Sequence, residues 1–233
     1  MTLYSPNTDP KYQGSHVPKP VEMPADVIIS EDTRRDCRIP PGQTRTPKWP
    51  VLHATIVPEI DLTTWKFRIA GLVDRPMEFS LAAFRELPRI RVFSDFHCVT
   101  TWSRLGNLWE GVSVRELLNS CGIQPSARFA VVGAFDNDWT TNLPLSCLLE
   151  SDVLLADLHD GLPIDPDHGG PVRLVVPRLF AWKSAKWVNR IELTEGNHPG
   201  YWESVGYHNI GDPWKEQRYR DDPEWQAANG TGD

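Results

Sequence analysis

The sequence predicts an α+β fold of mixed β-sheets and short helices. Two observations point there. About eight short strand-like runs outnumber three or four short helical ones, and they do not alternate as βαβα units. The chain also holds 21 prolines in 233 residues, which favours loops and irregular connections over long helices. Neither GxGxxG nor GxxxxGK[ST] occurs, so the usual dinucleotide and phosphate-loop architectures lack their signatures.

The elements follow in order. Residues 1–48 are rich in proline and charge without periodicity, and read as an extended arm, wrapped on the domain or partly disordered at its start. The main domain spans 49–220. In "TTWKFRIAGLV", Trp65, Phe67 and Ile69 alternate with Lys66 and Arg68, the pattern of a half-buried strand. "DRPMEFS" turns into a second short strand. Ser80 is placed to cap the helix "LAAFREL", which Pro88 stops. "RIRVFSDFHCV" is a strand, "NLWEGVSV" a turn, and Ser113 a cap for "VRELLNSCG", which ends at Gly122. "ARFAVVGAFD" is a strand, and "TTNLPLSCLL" leads into a short helix. "VLLADLHDG" reads as strand plus turn, and "GGPVRLVVP" as a buried strand. "AKWVNRIELTEG" is the last strand, and residues 221–233 form a flexible tail.

Composition excludes several function classes. The net charge of −7 leaves no basic stripe for a nucleic-acid backbone. No apolar run approaches the ~18 residues of a membrane span. The N-terminus lacks the apolar region of a secretory signal. The pair Arg34-Arg35 is followed by polar, proline-rich sequence rather than by an apolar stretch, so the expected location is cytoplasmic. The four cysteines, Cys37, Cys98, Cys121 and Cys147, form no CxxC and fit no zinc spacing, so free thiols are expected. Cys121 and Cys147 sit in apolar helical contexts and read as core thiols.

Three places carry residues suited to chemistry. Cys98, in "DFHCVTTWS", falls where a strand gives way to a loop. It reads as a core thiol, as a soft metal ligand, or as a nucleophile. His97 is a poor base for it, because neighbouring strand residues face opposite ways. The second place is "DHGGPVRLVVPRLFAWKSAKW". Gly169 and Gly170 permit close approach of a ligand. Arg173 heads an apolar strand, and Lys183, Ser184 and Lys186 cluster with Trp182 and Trp187. In an acidic chain this group reads as an anion site or as a solvated charge cluster. The third is His53 in "WPVLHATIVP", either a satisfied core histidine or a contact for a heterocycle. Ten tryptophans suggest aromatic plugs in a loop-rich fold, or a pocket for a large planar ligand.

The blocks "WKFRIAGLVDRP", "FHCVTTWS", "LWEGVSV", "TTNLPL", "LLADLHDGLPIDPDHGGPVRLVVP" and "KSAKW", in this order, resemble the sulfite oxidase-like molybdopterin-dependent oxidoreductases. The resemblance runs from about Trp49 to Tyr219 and is strongest to their small single-domain bacterial branch, whose expected ending matches "GYHNIGDPWKEQRY". It implies the sulfite oxidase molybdopterin-domain fold and a molybdenum–molybdopterin cofactor. It implies Cys98 as the metal's protein ligand and catalytic centre. Cofactor contacts would come from His53, His168, Arg173, Ser184 and Lys186, with His97, Thr100, Trp102 and Lys183 shaping the pocket and Asp165 and Asp167 as weaker candidates.

The implied activity is two-electron oxo transfer on a small or side-chain heteroatom substrate, sulfoxide- or sulfite-like. Two departures bear on it. Sulfite oxidases cluster arginines near the motif cysteine, and here only Arg104 is close in sequence, which speaks against sulfite. No haem-attaching CxxCH is present, so electrons are expected to pass to or from a separate electron-transfer protein. A cysteine-nucleophile enzyme and a non-catalytic pterin or anion binder stay open as alternatives.

Overall fold

The computed structural model describes residues 19–220. Its strands, in chain order, are β1 Val27–Ile29, β2 Thr44–Arg45, β3 Lys66–Gly71, β4 Met77–Ser80, β5 Arg89–His97, β6 Trp102–Ser113, β7 Phe129–Ala134, β8 Thr140–Pro144, β9 Leu154–His159, β10 Leu162–Pro163, β11 Arg173–Val175 and β12 Val188–Thr194. Four short helices accompany them: α1 Leu81–Arg85, α2 Val114–Cys121, α3 Leu145–Leu148 and α4 Tyr201–Ser204. The expected tail, 221–233, and the first 18 residues of the arm lie outside the described residues.

The strands form two mixed sheets. The first runs β1-β5-β6-β9-β10, with β2 added to β6 and β11 to β9. The second runs β4-β3-β12-β7-β8. The arm therefore does more than wrap: β1 pairs parallel with β5, and β2 parallel with β6.

The main core lies on the second sheet and the helices. Trp65, just before β3, and Phe67 and Ile69 within it are all buried there with Phe84, Leu118 and Ile191. Ser80 and Ser113 cap α1 and α2 by accepting from Ala83 N and Glu116 N. Strand β9 shows why its sequence is nearly continuously apolar. Leu155 faces the main core, whereas Leu154 and Ala156 face a second cluster with Phe96, Trp109 and Val175. Cys121 is buried as expected, Cys147 is half-buried, and Cys37 is exposed.

One reading is corrected. "NLWEGVSV" is not a turn but the second half of β6. The reversal comes earlier, at Val99–Thr101, where Cys98 N donates to Trp102 O and Thr101 takes a positive φ of 72°. Asn107 and Gly111 are residue types common in turns. Instead, Gly111 sits at a register shift in the β6–β9 pairing, where a Cβ would lie 2.0 Å from Leu155 O.

Candidate active site

A cavity of about 190 Å³ opens where the β5–β6 turn, the segment 49–54 and the stretch 181–187 meet. His53, Cys98, Thr100, Trp102, Arg173, Ser184 and Lys186, all singled out from sequence, line it, as do Trp182 and Trp187.

Cys98 reaches the wall because β5 ends at His97 and the chain turns at once. Its sulfur lies 3.1 Å from Thr100 Oγ1. Burial pushes its pKa up, and the Thr100 hydrogen bonds and the charges of Lys186 and Arg218 offset that only in part. A proton is therefore hard to remove unless something at the sulfur replaces it. A bound metal does that.

Arg173 is 2% exposed and carries its charge into the cavity wall. Its guanidinium donates to His168 O at 2.7 Å and Ser184 O at 2.9 Å, and it lies between the rings of Trp49, Phe96 and Trp109. Among the described residues no carboxylate pairs with it. Burial lowers its pKa to about 9 against the opposing pull of the Asp165 charge, so it stays charged at neutral pH with no carboxylate in contact. Lys186 adds a second cation. Burial and the Arg173 charge lower its pKa to about 8, against the opposing pull of Asp167 and Asp165. The Ser184 hydroxyl accepts from Val176 N at 2.9 Å, which ties this stretch to the residue that follows β11.

Three expected site residues lie elsewhere. His97 does not line the cavity. It is fully buried behind the hairpin, with Nδ1 2.8 Å from Ser103 Oγ and its ring against Trp214, as strand alternation requires. Lys183 is no part of the anion cluster. It is fully buried, donating to Glu203 Oε1 at 2.6 Å and Asn142 O at 2.8 Å. His168 stands behind the wall, its ring stacked on Trp49 at 3.9 Å and hydrogen-bonded to Asp165 and to Trp49 O. Gly169 and Gly170 also face protein rather than the cavity. A Cβ on the first would meet Lys186 at 2.7 Å, and one on the second would meet Ile164 O at 2.0 Å.

Sequence reasoning missed two lining residues of consequence. Trp49 gives the cavity an aromatic side backed by His159 and His168. Asp136, which accepts from Thr55 Oγ1, holds the segment 50–56 across the cavity. Neither carries a local motif; both are brought in by long-range contacts.

The donor set fits a cofactor with a soft metal centre and an anionic group. A thiol marks one part of the wall, and a lysine marks another, with a buried arginine that no carboxylate among the described residues contacts. Trp102 Nε1, buried and without a hydrogen-bond partner among the described residues, is a further donor. Among the described residues no three His, Cys, Asp or Glu side chains converge as a metal site. A metal bonded to Cys98 must therefore take its other ligands from a non-protein group, as a dithiolene provides.

Comparison with known proteins agrees. The pattern of the oxidoreductase molybdopterin binding domain matches residues 53–202. The uncharacterized oxidoreductase YuiH of Bacillus subtilis is 46% identical over 78% of this chain and 92% of its own length. A putative protein-methionine-sulfoxide reductase subunit, YedZ1 of Azospira oryzae, is 26% identical over 66% of this chain and 58% of its own. The rice NADH nitrate reductase 1 is 27% identical over 63% of this chain and 19% of its own. Among solved structures, the sulfane dehydrogenase SoxCD of Paracoccus pantotrophus superposes with a TM-score of 0.58 at 22% identity, over 63% of this chain and 42% of that one, a likeness of fold. The chain belongs to the oxidoreductase molybdopterin-binding domain family, and is a sulfite oxidase-like enzyme that uses molybdopterin.

Proposed function

We propose that the chain performs two-electron oxo transfer on a small or side-chain heteroatom substrate and exchanges the electrons with a separate protein. The observation that carries this is the pairing, on one cavity, of the Cys98 sulfur with the buried guanidinium of Arg173. When bound, the molybdenum–molybdopterin cofactor supplies the two-electron redox change and the transferable oxygen.

The protein's part is to hold and shield. Cys98 serves as the metal's thiolate ligand. Arg173 and Lys186 would hold the anionic end of the cofactor, and Trp49, His53 and Trp187 supply aromatic and imidazole surface on the same cavity wall. Relatives named for methionine sulfoxide and for nitrate both fit oxo transfer as the shared chemistry. The nucleophile alternative is disfavoured by the raised Cys98 pKa and by His97, which is turned away toward Ser103.

The test is reduction of an oxo donor with a reduced viologen dye by protein purified from a host that makes molybdopterin. Turnover is expected in the parent and is expected to disappear in Cys98→Ser with the pterin still bound. Full activity in Cys98→Ser, or rapid alkylation of Cys98 with turnover that needs no electron donor, overturns the reading.

A further inference from the structure

Between β2 and β3 the 20 residues 46–65 form no helix or strand, an unusual length for a connection inside one domain. The stretch runs across the mouth of the cavity, where Pro50, Leu52, His53 and Ala54 line it. Its two ends are fixed. Trp49 is stacked on His168 at 3.9 Å, and its carbonyl accepts from His168 Nε2 at 3.0 Å. At the other end Ile60 packs on the main core, Asp61 Oδ1 accepts from Thr63 N at 2.8 Å, and Trp65 is buried.

Between these anchors little holds the chain. No residue of 50–59 is buried. Among the described residues none of their backbone groups bonds to another backbone group. Val51, Leu52 and Ile56, whose burial would stabilise the segment where it lies, are exposed. Among the described residues the one hydrogen bond that reaches out of the segment runs from Thr55 Oγ1 to Asp136. Asp136 is itself buried, two residues beyond the end of β7, so this latch has a fixed side and a loose side. Pro50 and Pro58 lack an N–H and fix their own φ, so the piece between them is suited to turning about its ends rather than to joining a sheet. The facing walls are built differently. Cys98 follows β5 directly, Arg173 belongs to β11, and residues 182–185 are all buried.

The cavity enclosed by these walls is about 190 Å³, below the ~300–1,000 Å³ of sites that surround a drug-sized ligand. Molybdopterin with its metal is a ligand of that class. Part of the wall must give way to admit and seat it, and the part with the lowest local stability gives way first. We propose that residues 50–59 are a lid, hinged at Trp49 and Ile60 and latched by Thr55 to Asp136, which opens to admit the molybdopterin cofactor and closes over it. The lid carries His53, so its closure also sets that imidazole into the wall. The device depends on the cofactor and not on the reaction that follows.

The test follows proteolysis and cofactor exchange, neither of which needs turnover. Loaded protein comes from a host that makes molybdopterin, and cofactor-free protein from one that does not. Thermolysin cuts before large apolar residues. Within 19–220 it is expected to cut the cofactor-free protein first at 50–59, and to cut the loaded protein there about tenfold more slowly. Thr55→Val removes the donor of the latch. It should speed both the uptake of free molybdopterin by the cofactor-free form and its release from the loaded form, each by about tenfold. Thr55→Ser keeps the hydroxyl and should match the parent. A segment that merely touches the cofactor would give faster release with uptake unchanged. That result overturns the lid, as do unchanged rates in both directions, a first cut elsewhere, or equal cutting of 50–59 in the two forms. Loaded parent that behaves as expected in both readouts yet reduces no oxo donor contradicts the oxo-transfer reading and leaves the lid standing.

Discussion

Replacing Arg173 by methionine should separate holding the cofactor from holding the fold. In the cofactor-free protein the guanidinium is buried with no carboxylate in direct contact among the described residues, and Asp165 acts on it only at a distance through its charge. The lowering of its pKa from 12.5 to about 9 corresponds to about 5 kcal/mol of unfavourable burial of the charged form. Against this stand its hydrogen bonds to His168 O and Ser184 O, each contributing about 1.5–3 kcal/mol as charged-donor bonds. The terms nearly cancel. Arg173→Met should therefore change the stability of the cofactor-free protein by no more than about 1–2 kcal/mol, although the residue is fully buried. The loaded protein should behave differently. Loss of the buried charge opposite an anion costs about 3–5 kcal/mol, or roughly 150- to 4,000-fold in cofactor retention. The assay is urea denaturation of both forms, with bound molybdenum followed after gel filtration. Destabilisation of both forms by the same 3 kcal/mol or more would refute the reasoning and make Arg173 an ordinary structural residue.

Other outcomes follow from the same geometry. Gly111→Ala forces a methyl group onto Leu155 O at 2.0 Å in a central strand, and should cost about 3 kcal/mol or more in denaturant titration. Lys183→Met alone strands the buried Glu203 carboxylate and should cost about 3–5 kcal/mol, most of it regained when Glu203→Gln is added. Asp165 caps the turn Pro166–His168. Partial burial raises its pKa, but the hydrogen bonds from His168 outweigh that and hold it below 3.8. The stability it contributes is present above pH 3.8 and lost as the pH falls through the lower folded value. The melting-temperature gap between the parent and Asp165→Asn should thus close on acidification below pH 4, and a gap that widened there would contradict the assignment.

How much of this was legible beforehand depended on whether the signal was local. The alternation of Trp65, Phe67 and Ile69, the caps Ser80 and Ser113, and the end of α2 at Gly122 are written in a few adjacent residues, and the structure shows them as read. β6 was misread because Asn107 and Gly111 have the composition of a turn, whereas Gly111 answers to a strand that arrives 44 positions later in the chain, at Leu155. In the site, Cys98, Arg173, Ser184 and Lys186 are residue types whose chemistry announces itself, and they meet on one cavity. Lys183 did not, because its partner Glu203 lies 20 residues downstream in an aromatic, irregular tail. Trp49 and Asp136 escaped notice for the same reason. Their roles come from what the fold stacks beside them.

The central claim is that the Cys98 sulfur is bonded to molybdenum, and X-ray absorption at the molybdenum edge of freshly purified protein tests it most directly. The parent should show one more sulfur neighbour of the metal than Cys98→Ser, with the metal present in both. Identical sulfur coordination in the two proteins would contradict the account.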